Sequence, residues 1–249
     1  MDYKKFNIII PSYNNAQWCE KNLLSAIGQN YPEDKFNVIY TDDASTDNTA
    51  NIVEELIIKN NWKNIELIRN DKNKGALCNI YNMIHSCEDM SVSLTCDGDD
   101  WLAHSNVLNK LNEVYQDENV WMTYGSYVDY PGMTKGCCKP YEDFVINARG
   151  FRRVSWRSSH LRSWRTKLFK LIQEDDFKFQ GEWADVSWDL LIQFPALEIC
   201  NGKYKCLDDI LYIYNNQNPI SDYKIKQHRQ GMIDGFARSK RPYEPIEKL

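Results

Sequence analysis

The chain has 249 residues, 43% of them hydrophobic and 13% aromatic, enough apolar mass for a packed α/β domain and too much for a disordered segment. Against 30 Lys and Arg stand 35 Asp and Glu, a formal charge of -5, which excludes a protein whose main task is coating nucleic acid. The eight cysteines include no C-x-x-C pair, so they read as reduced thiols rather than zinc ligands or disulfide staples.

The first apolar run, residues 6–10, is too short for a signal-peptide core, and no stretch reaches the roughly 20 apolar residues of a spanning helix. The expectation is a soluble, cytoplasmic protein without a transmembrane segment. From residue 6, short β-branched runs alternate with stretches of helical spacing. Residues 6–10 form the first strand, and Trp18, Leu23, Leu24 and Ile27 mark the helix after it, with Asn14 or Asn15 as N-cap and Gly28 past its end. Residues 37–40 lead into an acidic loop, and Ile52, Val53, Leu56 and Ile57 stripe the second helix. A third unit runs from 65–68 through Gly75 to Leu77, Ile80, Tyr81 and Ile84. A fourth runs from 92–95 to Val107, Leu108, Leu111 and Val114. Four strand–helix units imply a single α/β domain, a mostly parallel, Rossmann-like sheet flanked by helices.

Past Val120 the alternation loosens. Residues 120–127 read as a strand, 131–150 as a loop, 161–172 and 183–197 as helices, and 211–214 as a late strand. A polar C-terminal helix follows from Ser221.

Ligands of a parallel sheet bind outside the carboxyl ends of its strands. Polar clusters at 11–15, 42–47 and 97–100 fall at such ends. The densest, Asp97-Gly98-Asp99-Asp100, gathers carboxylates that repel one another unless a cation neutralises them. All-oxygen ligation suits Mn²⁺ or Mg²⁺, and Gly98 lets backbone approach a ligand. An EF-hand is excluded here, because position twelve of such a loop would be Leu108. A second near-match at 43–54 has Asn48 in place of the loop glycine and follows a strand. Asp42 and Asp43 suit base and ribose recognition, with Ser45 and Thr46 capping the next helix.

Ile-Ile-Ile-Pro-Ser-Tyr-Asn-Asn at 8–15, Asp-Asp-Ala-Ser-Thr-Asp-Asn-Thr at 42–49, Asn-Lys-Gly-Ala at 73–76 and Asp-Gly-Asp-Asp-Trp at 97–101 resemble, in this order, the motif set of family 2 glycosyltransferases of the GT-A fold. The resemblance covers about the first 130 residues. It implies an inverting, metal-dependent transferase that moves a sugar from a nucleoside-diphosphate donor, UDP favoured, to a hydroxyl acceptor, a glycan or glycoconjugate. Residues 1–130 would bind the donor, and residues 131–249 would bind the acceptor. By position, Pro11 and Tyr13 would line the nucleotide pocket, together with Asn14, Asp42, Lys74, Gly75 and Gly98. Asp43 would bind the base, Asp97 would approach the ribose, and Asp99, with Asp97, would hold the metal.

Inversion also needs a general base on the acceptor side. The stretch from Asp189 to Glu198 is similar to the family's base segment, which makes Asp189 the first choice. Asp185, one helical turn away, would share its face. A late metal-ligating His is common in the family. His228 lies in about the right region, while Tyr223 stands where such a His is expected.

The 149–170 stretch carries eight basic residues and no acid. It reads as a positive face for diphosphate, an anionic acceptor or lipid headgroups, or as a solvated helix flank. Within it Ser-His-Leu-Arg-Ser-Trp at 159–164 resembles a stretch near the acceptor side in some members, which adds His160 and Arg162 as secondary candidates. Trp156, Trp164, Trp183 and Trp188 serve either as core or as sugar-stacking faces. Two rivals remain: a non-catalytic binding module, and a sugar nucleotidyltransferase, which lacks support because no Gly-rich loop follows the first strand.

Overall fold

The structure is a computed structural model that describes residues 2–219 and 225–249. Its first half follows the expected order: β1 (Phe6–Ser12), α1 (Cys19–Ile27), β2 (Phe36–Asp42), α2 (Thr49–Asn60), β3 (Ile65–Arg69), α3 (Ala76–Ser86), β4 (Val92–Thr95), a short β5 (Trp101–Leu102) and α4 (Val107–Tyr115). The second half contains β6 (Met122–Tyr124), β7 (Tyr127–Tyr130), α5 (Asp143–Asn147), β8 (Arg162–Arg165), α6 (Thr166–Lys170), β9 (Lys178–Phe179), β10 (Glu182–Trp183), α7 (Trp188–Cys200), β11 (Tyr204–Cys206), β12 (Tyr212–Asn215) and α8 (Gln227–Ser239).

Seven strands make one sheet in the order β11-β6-β8-β4-β1-β2-β3. β1 to β4 are parallel, and β8 runs against both β4 and β6. Alternation along β1 explains the two-sided core. Phe6, Ile8 and Ile10 pack on the face covered by α1, α2 and α4, whereas Ile9 packs on the face covered by α3, α6, α7 and α8. Leu77, Ile80, Met83 and Ile84 place a buried stripe along α3. α7 is buried nearly all round, as an apolar helix enclosed by other elements must be. β5, β12 and β7 form a second, small sheet. All eight cysteines are free, and among the described residues no helix is long and apolar enough to cross a membrane.

Several second-half expectations are corrected. Residues 161–172 are not one helix: β8 occupies 162–165 and passes directly into α6, so apolar positions of a four-residue strand and a one-turn helix run together into a false helical period. The helix expected at 183–197 begins at Trp188, after the β9–β10 hairpin. The strand expected at 120–127 breaks at Gly125, where φ is +75°. The loop expected at 131–150 contains α5. The C-terminal helix is described from Gln227, and Ser221 and Tyr223 lie outside the described residues.

The basic stretch is not one continuous solvent face, since of its basic residues only Arg153 and Lys167 are exposed. Arg152 is buried against Glu198 with bonds of 2.6 and 2.8 Å, Arg157 pairs with Glu142 at 2.6 Å, and Lys170 pairs with Asp89 at 2.7 Å. Arg165 pairs with Glu118 and also donates to the Val120 carbonyl.

Candidate active site

The loops after β1 and β2 are laced together. Asn14, at φ 53°, donates its N–H to Ser45 Oγ at 2.9 Å, and its Oδ1 accepts from Thr46 N at 2.8 Å. Ser45 and Thr46 therefore hold Asn14 rather than cap α2. Asp47 takes over at that helix, accepting from Thr49 N at 3.0 Å. Asp42 is buried, and its Oδ2 accepts from Ser45 N at 3.1 Å. Pro11 is buried and its carbonyl accepts from Gly98 N at 3.1 Å, while the Tyr13 side chain is exposed.

Asp43 sits at the N-terminus of α3, where backbone N–H groups favour an anion. Its carboxylate accepts from Lys74 N at 2.9 Å, Gly75 N at 2.8 Å and Asn70 Nδ2 at 2.8 Å. Asp43, Lys74 and Gly75 thus come together as one element. Asn70, just past β3, completes it, a position that only the strand-end rule for parallel sheets would single out, since a lone amide carries no charge density. A groove of about 620 Å³ along β2, β3 and α3 reaches Asn70 and Lys74 but includes none of the carboxylates after β4.

Those carboxylates form the densest part of the site. Gly98 is required by its own chain: a Cβ there would lie 2.6 Å from Ser12 Oγ and 2.8 Å from Asn15 Nδ2. Asn22 Nδ2 ties the turn by donating to the carbonyls of Asp97 at 2.9 Å and Asp100 at 2.8 Å. Asp99 Oδ2 accepts from Asn218 Nδ2 at 2.8 Å. Asp100 is buried and accepts from the Tyr212 hydroxyl at 2.7 Å and from Asn215 N at 2.7 Å. Burial, reinforced by the Asp99 and Asp97 charges, holds the Asp100 carboxyl well above the usual carboxylate range.

β8 explains what reaches this cluster from the second half. Because it runs against β4, its first residue lies at the edge where β4 ends, with Arg162 opposite Thr95. His160 and Asp97 therefore meet just beyond the paired residues. Asp97, Asp100 and His160 each offer a ligand atom, and these atoms lie within 4.8 Å of one another. His160 stacks on Tyr212 with ring centroids 4.5 Å apart. Burial, and then Arg162, push its pKa well below the ordinary value, so the ring is neutral and its Nδ1 accepts from Arg162 Nη2 at 3.1 Å. Asp99 is not in this group, and His228 is exposed on α8.

Arg162 is 1% exposed and joins the two halves of the site. Its Nη1 lies 3.2 Å from Asp189 Oδ2, its Nη2 lies 3.8 Å from Asp97 Oδ2, and its guanidinium stands over the Trp188 ring at 4.7 Å. Asp189 occupies the first turn of α7, and burial raises its pKa despite the Arg162 charge. Asp185 precedes α7, so the two acids do not share a helix face. It is engaged by Arg229 at 3.0 Å and Lys226 at 3.6 Å. Trp164 is core, donating to Gln193 Oε1 at 2.8 Å, Trp156 packs edge-on against Phe194, and Trp183 stacks on Phe177.

A strand-edge carboxylate cluster on this α/β scaffold defines a GT-A glycosyltransferase. The model of glycosyl transferase family 2 matches residues 7–177, and the chain belongs to that family. It is similar, at 35% identity over 68 residues, to a dolichyl N-acetyl-α-D-glucosaminyl phosphate 3-β-D-2,3-diacetamido-2,3-dideoxy-β-D-glucuronosyltransferase of Methanococcus voltae. That match covers 27% of this chain and 21% of the relative. Among solved structures, Staphylococcus aureus TarS 1-349 in complex with UDP-GlcNAc superposes with a TM-score of 0.65 at 21% identity, covering 86% of this chain and 59% of that one. The mannosyltransferase PcManGT of Pyrobaculum calidifontis, in complex with GDP-Man and Mn²⁺, gives 0.64 at 18% identity, covering 97% and 66%. These structural likenesses bear on the fold.

Proposed function

We propose that the protein transfers a sugar from a nucleoside-diphosphate donor, a uridine nucleotide favoured, to a saccharide hydroxyl with inversion at the anomeric carbon. The observation that carries this reading is the juxtaposition, at one sheet edge, of the Asp97–Asp100 cluster with Arg162 and Asp189. Residues 1–130 supply the donor side: Pro11, Tyr13 and Asn14 along the nucleotide, and Asp43 with Lys74 and Gly75 at the base. Residues 131–249 supply the acceptor side.

The donor set fits a divalent cation. Carboxylates suit Mn²⁺ or Mg²⁺. Asp97 and Asp99 are the ligands that the motif implies, with Asp100 close enough to contribute. When bound, the cation offsets the charge that gathers on the departing diphosphate. Asp189 takes the proton of the attacking hydroxyl as its oxygen bonds to the anomeric carbon and the bond to phosphate breaks. Asp185, already in ion pairs with α8, is the weaker base candidate. The cytoplasm, where nucleotide sugars are drawn upon, is the proposed location, with peripheral contact to an acceptor's lipid carrier allowed by the fold.

The experiment is a panel of nucleotide sugars offered to purified protein with and without Mn²⁺, following release of the nucleoside diphosphate and thermal stabilisation by the donor. Asp97→Asn and Asp99→Ala are each expected to lower turnover by about 10²-fold or more, the scale of losing a group that stabilises transition-state charge. Unchanged turnover and metal dependence in both variants would remove the metal assignment. Donor binding without turnover in the wild type would leave a binding module.

A further inference from the structure

We propose that Arg162 is a positioning residue that aims the Asp189 carboxylate and keeps it ionised for proton transfer. The inference rests on the reading of Asp189 as the base. A guanidinium this deeply buried is costly unless it is paired, and it lies between the buried Leu161 and Ser163. Arg162 is held from every side. Its backbone lies in register with Thr95, Nη2 shares a 3.1 Å hydrogen bond with Nδ1 of the neutral His160, and Trp188 lies 4.7 Å beneath. What remains directional is the contact of Nη1 with Asp189 Oδ2 at 3.2 Å, shorter than the 3.8 Å to Asp97.

The charges around Asp189 point the same way. Burial and Asp234 on α8 disfavour its ionised form, whereas Arg162 and the backbone N–H groups at the start of α7 favour it. Cys137, in the loop before α5, is a further titratable neighbour, and an anionic thiolate there would add to the opposition. Asp185, close in sequence, is engaged with Arg229 and Lys226. Arg162 is therefore the side-chain cation that sets the balance. The contact with Arg162 therefore fixes the direction in which the carboxylate faces the acceptor side.

The test compares Arg162→Gln, Arg162→Lys and Asp189→Asn with the wild type, measuring kcat and donor KM across pH. The acid limb of kcat reports the base in the loaded enzyme. Arg162→Gln is expected to lose about 10²-fold in kcat with donor KM nearly unchanged, and to lose more near pH 6 than near pH 8, because the carboxylate then protonates at higher pH. Arg162→Lys, which keeps the charge and loses the fork, is expected to retain the wild-type acid limb with a lower kcat. If Arg162→Gln leaves the acid limb in place, or raises donor KM while kcat is untouched, Arg162 is a donor contact and the proposal fails. An active Asp189→Asn sinks the base reading instead, so the two failures are separable. Should Arg162→Gln not fold, Arg162→Lys decides: a kcat lowered about tenfold at constant donor KM supports positioning, and wild-type kcat overturns it.

Discussion

The two sides of the site are built by different means. On the proposed donor side, Asp43, Lys74 and Gly75 belong to successive strand–helix units, and their bonds join strand-end loops that lie side by side. On the proposed acceptor side, Arg162 arrives on an antiparallel strand and Asp189 on the first turn of a buried helix. Glu198 on that helix is fastened to Arg152 and to Tyr243 N. A local loop network can fail without unfolding the sheet, whereas the second half ties Arg162 and Asp189 to the packing of the whole molecule.

The sharpest way to break this contrast is Glu198→Ala. It strands the buried Arg152, which also donates to the Ala237 carbonyl on α8. The expected loss is about 3–5 kcal/mol of stability by urea or thermal unfolding, the scale for removing one partner of a buried pair. A loss under about 1 kcal/mol would mean that the pair is not the clamp between α7, α8 and the tail. Asp43→Ala comes next. It removes the acceptor for two backbone N–H groups and Asn70, and should cost about 1–3 kcal/mol while weakening donor binding in calorimetry. Retained donor affinity would separate the Asp43 network from the nucleotide site. Asp185→Asn is the mildest. Its partners are partly exposed, so roughly 1 kcal/mol or less is expected, with turnover close to wild type. A collapse of activity there would transfer the base role from Asp189 to Asp185.

The same contrast explains how far the sequence could be read. The first four units were legible because each strand is followed by a helix with its own stripe, as Leu77, Ile80 and Ile84 show on α3. The carboxylates after β4 stood out for a local reason, charge density. Asn70 was not singled out, because a lone amide carries no such signal. The misread 161–172 segment has the opposite cause. A four-residue strand has too few alternations to show its period, and only its pairing with β4 and β6 makes it one. His160 and Arg162 were noticed through resemblance. Their meeting with Asp97 and Asp189 depends on the antiparallel direction of β8, which no local pattern carries. Tyr212 and Asn215, which hold Asp100, are likewise contributed from more than 100 residues away in the chain.

The direction of β8 also bears on how the molecule is assembled. β4 and β8 are about 70 residues apart in the chain, a long loop to close before any ladder bond forms. During synthesis, the loops after β1 to β3 can form while the acid cluster after β4 still lacks Arg162, His160, Tyr212 and Asn215. A slip of one residue in that pairing would turn Arg162 to the opposite face of the sheet. The ladder between β4 and β8 thus acts as a checkpoint: a chain with the wrong register has the first-half loops in outline but does not bring Arg162 to Asp189.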